Sequence, residues 1–240
     1  MKILTEPAVE HATTPVKIAI VTGLSDPNHC SLSEDQRSLL DSIEVPDEWK
    51  VRRNFPFVET SKSDSTAPGI MAASLANARQ FIASHRVSFR ELAYPHWQAL
   101  FRSAERFYFV TGSCGIQLLR SIDHNMQQHR FLKHKRIEVL SLGPVSFRSP
   151  AIPVQTGQAQ AGRLHTLRVQ TARGDRDWIS GLFYRRVDYP IKGVGHMQYW
   201  QNSEVRTLVS RWLSHRISKL SEAEAISLQK SRPQKTSISE

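Results

Sequence analysis

Three short runs of β-branched and aromatic residues, each ending at a glycine-bearing turn, restrict this chain to a sheet wound with helices. Val16-Lys17-Ile18-Ala19-Ile20-Val21 stops at Thr22-Gly23, Phe107-Tyr108-Phe109-Val110 at Thr111-Gly112, and Ile137 to Leu142 at Gly143-Pro144. Short, largely apolar runs of this kind suit strands covered on both faces. The stretches between them carry helical periodicity. Ser33-Glu34-Asp35-Gln36 has capping-box spacing ahead of Leu39, Leu40 and Ile43. Met71, Leu75, Ala78, Phe81 and Ile82 predict a helix from about 70 to 84, and a second helical region, interrupted by Pro95, ends near Ala104. Ile116, Leu119 and Ile122 follow the second turn helically, and Val205, Leu208, Val209, Trp212, Leu213 and Ile217 form a closing helix capped by Asn202 or Ser203. Further strands are expected around Val51, from Leu164 to Thr171 and near Tyr184 to Tyr189, with loops at 59–69 and 149–163. Strands alternating with helices predict an α/β fold, a mostly parallel sheet flanked by helices.

The chain has 240 residues, 40% of them hydrophobic, enough for one substantial core. One domain is expected over 16–219, between a mobile segment at 1–15 and a disordered tail at 220–240, both polar and aperiodic. No run reaches the roughly 18 apolar residues of a membrane span, and the first fifteen residues lack the apolar core of a secretory signal, so a cytoplasmic protein is expected. Cys30 and Cys114 are the only cysteines, which excludes a disulfide framework and a four-cysteine zinc site. Asp26, His29 and Cys30 lie close together, but no second spaced cluster completes a ligand set, and no metal is expected. Neither a phosphate-binding G-x-x-x-x-G-K-[ST] loop nor a dinucleotide fingerprint occurs, so no cofactor is expected. The net charge of +10 favours an anionic partner, yet the basic residues are scattered and form no nucleic-acid-reading motif.

The chemistry centres on Thr111-Gly112-Ser113-Cys114-Gly115, between a strand and a helix. A sharp turn there lifts a serine oxygen above the sheet, and the helix start offers backbone donors. On the pentapeptide alone, a structural turn is the better explanation of these residues. After the serine come Gly174-Asp175-Arg176-Asp177 behind a strand, then Gly193-Val194-Gly195-His196 ahead of the last helix.

With these segments in this order, residues 16–217 resemble the α/β-hydrolase family. Phe109 to Gly115 is similar to its nucleophile elbow, with Thr111 where the first glycine of G-x-S-x-G stands and Ile116 where a second small residue often packs. The resemblance implies a single-domain α/β-hydrolase-like sandwich that begins at the family's third strand. It also implies Ser113 as nucleophile, His196 as base and Asp177 as the acid that orients it, Asp177 being favoured over Asp175 by its distance from Gly174. By position, the oxyanion donors would be the N–H groups of Cys114 and Leu24. Cys114 is the alternative nucleophile, although it leaves Gly115 one residue too early.

The expected function is a serine hydrolase or acyltransferase, possible thioesterases included, acting on a small-molecule or carrier-bound acyl substrate. Short connections suggest an open cleft, and the net charge suggests an anionic donor such as a coenzyme A or carrier-protein thioester. A non-catalytic α/β-hydrolase-like binding protein is the alternative, and a charge-driven nucleic-acid binder a third reading. Oligomeric state is left open by the sequence.

Overall fold

The computed structural model describes residues 8, 10–23, 31–56, 70–120, 135–147 and 166–230. Six strands form one sheet in the order β2-β1-β3-β4-β5-β6, parallel throughout. They are β1 (Val16–Thr22), β2 (Lys50–Val51), β3 (Arg106–Gly112), β4 (Arg136–Leu142), β5 (Thr166–Gly174) and β6 (Tyr189–Ile191). The helices are α1 (Glu34–Asp41), α2 (Ile70–Ala83), α3 (Val87–Arg102), α4 (Gly115–Leu119), α5 (Trp178–Phe183) and α6 (Ser203–Lys230). This is the α/β fold that the alternating pattern predicts.

Strand alternation sends side chains to two cores. Ala19, Val21, Phe107, Phe109, Ile137 and Val139 pack on one face against Ala93, Trp97, Leu100 and Phe101 of α3 and Leu118 and Leu119 of α4. Ile18, Ile20, Tyr108, Val110 and Leu140 pack on the other against Leu39 and Leu40 of α1 and Val205, Val209, Trp212 and Leu213 of α6. Both faces are therefore covered, which is why β1, β3 and β4 read as nearly unbroken apolar runs.

Local chemistry sets the ends of these elements. Ser33 closes the capping box of α1, its hydroxyl accepting from Gln36 N–H at 3.3 Å while its own N–H donates to Gln36 Oε1 at 2.9 Å. Asn202 caps α6, accepting from Val205 N–H at 3.1 Å. Pro95 does not break α3. It lies on the exposed side of the helix, where the Glu91 carbonyl it leaves without a partner can reach water.

Several boundaries differ from expectation. The strand expected near Tyr184 to Tyr189 occupies Tyr189–Ile191, and residues 178–183 ahead of it form α5. Asp177 explains that helix, because its carboxylate accepts the Ser180 N–H at 2.9 Å and caps the first turn. The closing helix runs on to Lys230, into the segment read as a tail. The expected loops at 59–69 and 149–163, and Ile122, lie outside the described residues.

The strand order reverses at β1, with β2 on one side and β3 on the other. In open parallel sheets the crevice beyond the carboxyl ends of the strands at such a point is where ligands bind. Gly23, just past the end of β1, and the Ser113 turn after β3 flank it.

Candidate active site

Ser113 follows the last residue of β3 with φ +51°, a left-handed conformation unusual for a residue with a side chain. Neighbouring chain holds it there: Ser113 N–H donates to the Leu142 carbonyl at 3.1 Å, and the Ser113 carbonyl accepts from Val145 N–H at 3.0 Å. The turn depends on Gly115. A Cβ at that position would sit 1.9 Å from the Val21 carbonyl oxygen, so only glycine lets α4 start this close to β1. Gly112 is comparably constrained, because a Cβ there would meet the Trp200 ring at 2.7 Å. Thr111 is buried in the strand and its hydroxyl donates to Ser141 Oγ on β4 at 2.8 Å. Ile116 is fully buried. Neither residue distorts the turn.

Ser113 Oγ lies 3.0 Å from His196 Nε2. On the far side of the ring, His196 Nδ1 lies 3.0 Å from each oxygen of Asp177. With Nδ1–H donated to the carboxylate, Nε2 presents a lone pair to the serine hydroxyl. Three chain segments far apart in sequence thus form one hydrogen-bonded relay, Ser113 to His196 to Asp177. The Asp177 side chain is fully buried, while that of His196 keeps a small exposed area, 12%.

Burial pushes the Asp177 carboxyl toward a higher pKa, but hydrogen bonds from His196, Tyr199 and the Ser180 N–H outweigh it and hold the group below the usual carboxylate value. Tyr199 was not anticipated from the sequence. Its hydroxyl donates to Asp177 Oδ2 at 2.6 Å and accepts from Gly174 N–H at 2.9 Å, tying the acid to the end of β5. Burial, together with the bond to Asp177, pushes the Tyr199 phenol well above its ordinary pKa, so it stays a donor. The only sequence signal was a tyrosine three residues past His196, too common a spacing to single out.

Asp175 takes a different place. Its Oδ1 accepts from Gly193 N–H at 2.7 Å and shapes the histidine loop from the solvent side. Gly193 itself has φ +71°, and a Cβ on Gly174 would lie 1.9 Å from the Val194 carbonyl oxygen, so glycines let that loop turn and rest on β5. Cys114 is buried, and burial pushes its thiol up to about 12, which leaves it protonated and poorly suited to attack. Its N–H stands at the N-cap of α4, ahead of the first intrahelical bond.

Leu24, expected as the second oxyanion donor, lies outside the described residues, as do Asp26, His29 and Cys30. The described chain reaches Gly23, where a Cβ would lie 2.7 Å from Cys114 Sγ. Asn54 fixes that strand end, accepting from Thr22 N–H at 2.9 Å. Among the described residues no cluster of three or more metal-ligating side chains occurs, and no helix is long and apolar enough to cross a membrane.

No protein-family model matches the chain, and no curated protein does. Among solved structures, a protein of unknown function from Agrobacterium tumefaciens, described as a candidate α/β hydrolase, aligns over 89% of this chain and 90% of its own at 13% identity and a TM-score of 0.39. A likeness this slight assigns no role to any residue.

Proposed function

We propose that the protein is a serine hydrolase or acyltransferase that acts on an ester or thioester through an acyl-enzyme at Ser113. The observation that carries this reading is the unbroken relay, 3.0 Å from Ser113 Oγ to His196 Nε2 and 3.0 Å from His196 Nδ1 to Asp177. Its place at the carboxyl ends of parallel strands supports it further, as does the left-handed Ser113 backbone, a conformation costing of order 1–3 kcal/mol that clusters at functional sites.

In this mechanism His196 Nε2 takes the Ser113 hydroxyl proton as Oγ bonds to the acyl carbon, and the carbonyl electron pair moves onto oxygen. Asp177 stabilises the imidazolium without taking its proton, and Tyr199 keeps the carboxylate aimed at Nδ1. The Cys114 N–H receives the oxyanion, with the Leu24 N–H as its partner by position. Collapse breaks the bond to the alcohol or thiol, which leaves with the proton from His196. Water, or an acceptor hydroxyl or amine, then attacks the acyl-serine with His196 again as base, and Ser113 is regenerated.

The test is turnover of an ester and thioester panel by the folded protein. Hydrolysis abolished by Ser113→Ala and by His196→Ala, with melting temperatures retained, is expected. A panel left untouched by the wild-type chain, or turnover indifferent to Ser113→Ala, would overturn the proposal.

A further inference from the structure

Segments that leave the relay carry a cluster of aromatic rings, part of it exposed. Phe81 of α2, Phe147 after β4 and Phe183 of α5 form a triangle of rings, with centroids 5.5, 6.1 and 5.5 Å apart. His85 packs on two of them, at 5.1 and 5.8 Å. Burial, followed by the nearby Arg120 and Arg90, lowers the His85 pKa, so this ring stays neutral at physiological pH and the cluster uncharged. Phe147 is nonetheless 70% exposed.

Two of the contributing segments lead directly from the relay, and the third comes close to Cys114, the residue after Ser113. Phe147 lies two residues past Val145, whose N–H bonds the Ser113 carbonyl, and Ser146 Oγ donates to Gln117 Oε1 of α4 at 2.7 Å. Phe183 belongs to the helix that Asp177 caps. Phe81 stands one turn beyond Asn77, whose Oδ1 lies within 2.2 Å of where a Cβ on Gly23 would be, beside Cys114. Two more large apolar side chains, Trp178 and Met197, are 72% and 62% exposed, and they adjoin Asp177 and His196 in sequence.

We propose that the ring cluster is the acyl subsite of this centre and that the acyl group it accepts is bulky, apolar and preferably aromatic. The proposal rests on the serine-hydrolase reading and deepens it. Continuity with the relay names the occupant: a group covering these rings while its carbonyl sits at Ser113 is the acyl portion of the substrate. Exposed apolar surface rimmed by polar residues marks ligand sites. Rings at 4.5–7 Å leave edges and faces that a further ring can join in the same tilted geometry. The basic net charge then bears on the leaving group or carrier, not on the acyl part.

The experiment compares p-nitrophenyl phenylacetate with p-nitrophenyl acetate, each kcat/KM normalised to the hydroxide rate of the same ester. The wild-type ratio is expected to favour phenylacetate by about tenfold or more, the scale on which apolar pockets discriminate. Phe147→Ala should lower that ratio severalfold and Phe147→Leu should restore part of it, with melting temperatures checking the fold. A second variant, Phe183→Ala, should lower it as well. Ser113-dependent turnover with no preference for phenylacetate, or a ratio unmoved by both alanine variants, would overturn the subsite and leave the hydrolase reading standing. Failure on both esters by a folded protein that turns over other members of the ester and thioester panel would overturn the subsite alone, and a panel left wholly untouched would remove both readings.

Discussion

Ser113 combines a strained backbone with the side chain proposed as nucleophile, and substitutions separate the two. Ser113→Ala keeps the left-handed strain, whereas Ser113→Gly relieves it, since a side chain in this region costs about 1–2 kcal/mol. Both variants should be inactive, with the glycine variant more stable in urea by about 1 kcal/mol. Asp177→Asn leaves the shape of the site but removes the charge facing Nδ1, and kcat is expected to drop by about 10⁴. Asp177 also governs acid stability. Its folded pKa lies below the unfolded one, so its contribution is present in full above about pH 4 and is lost as pH falls through the folded value. Urea midpoints between pH 7 and 2.5 should show that loss, and it should be smaller in Asp177→Asn. Tyr199→Phe removes one hydrogen bond to the carboxylate and an acceptor for Gly174 N–H, for about 1.5–3 kcal/mol of stability. Because the acid then loses a stabilising donor, the acid limb of its stability curve should also move to higher pH.

Glycine positions join elements that carry the site. Gly174→Ala drives a Cβ into the Val194 carbonyl, so β5 and the histidine loop must separate, lowering both melting temperature and activity. Gly181→Ala is the contrast: its nearest neighbour is Arg173 Nη1 at 3.6 Å, an ordinary contact, and inside α5 the change should be neutral or stabilising by up to about 1 kcal/mol. The closing helix is fastened by Glu138, nearly buried in β4, whose carboxylate accepts from Arg216 Nε at 2.7 Å while Arg216 lies over the Trp212 ring. Glu138→Ala leaves that guanidinium without its acid and should cost about 3–5 kcal/mol, read by chemical denaturation. Elements with a strong period were legible in the sequence: β1, β3 and β4, and the stripe of α6. Less was legible around β6, because three residues on a sheet edge have too little alternation to register and a six-residue helix is set by its Asp177 cap more than by its pattern.

At the level of the molecule, the sheet order explains why residues 113, 177 and 196 meet although they are spread over more than a third of the chain. Consecutive parallel strands β3, β4, β5 and β6 all end at the same edge, so the turns after β3, β5 and β6 share it. The order serine, acid, histidine therefore carried information that no single motif did. Tyr199 and the Phe81, Phe147 and Phe183 cluster were not legible, since their roles come from tertiary neighbours and no spacing announces them. The most direct test of Ser113 as an activated nucleophile is intact-mass and peptide mapping after exposure to a fluorophosphonate. Stoichiometric modification at Ser113, absent in Ser113→Ala and strongly slowed in His196→Ala, is the expected result. A folded wild-type chain that takes up no label, or takes it up equally without Ser113, would contradict the assignment.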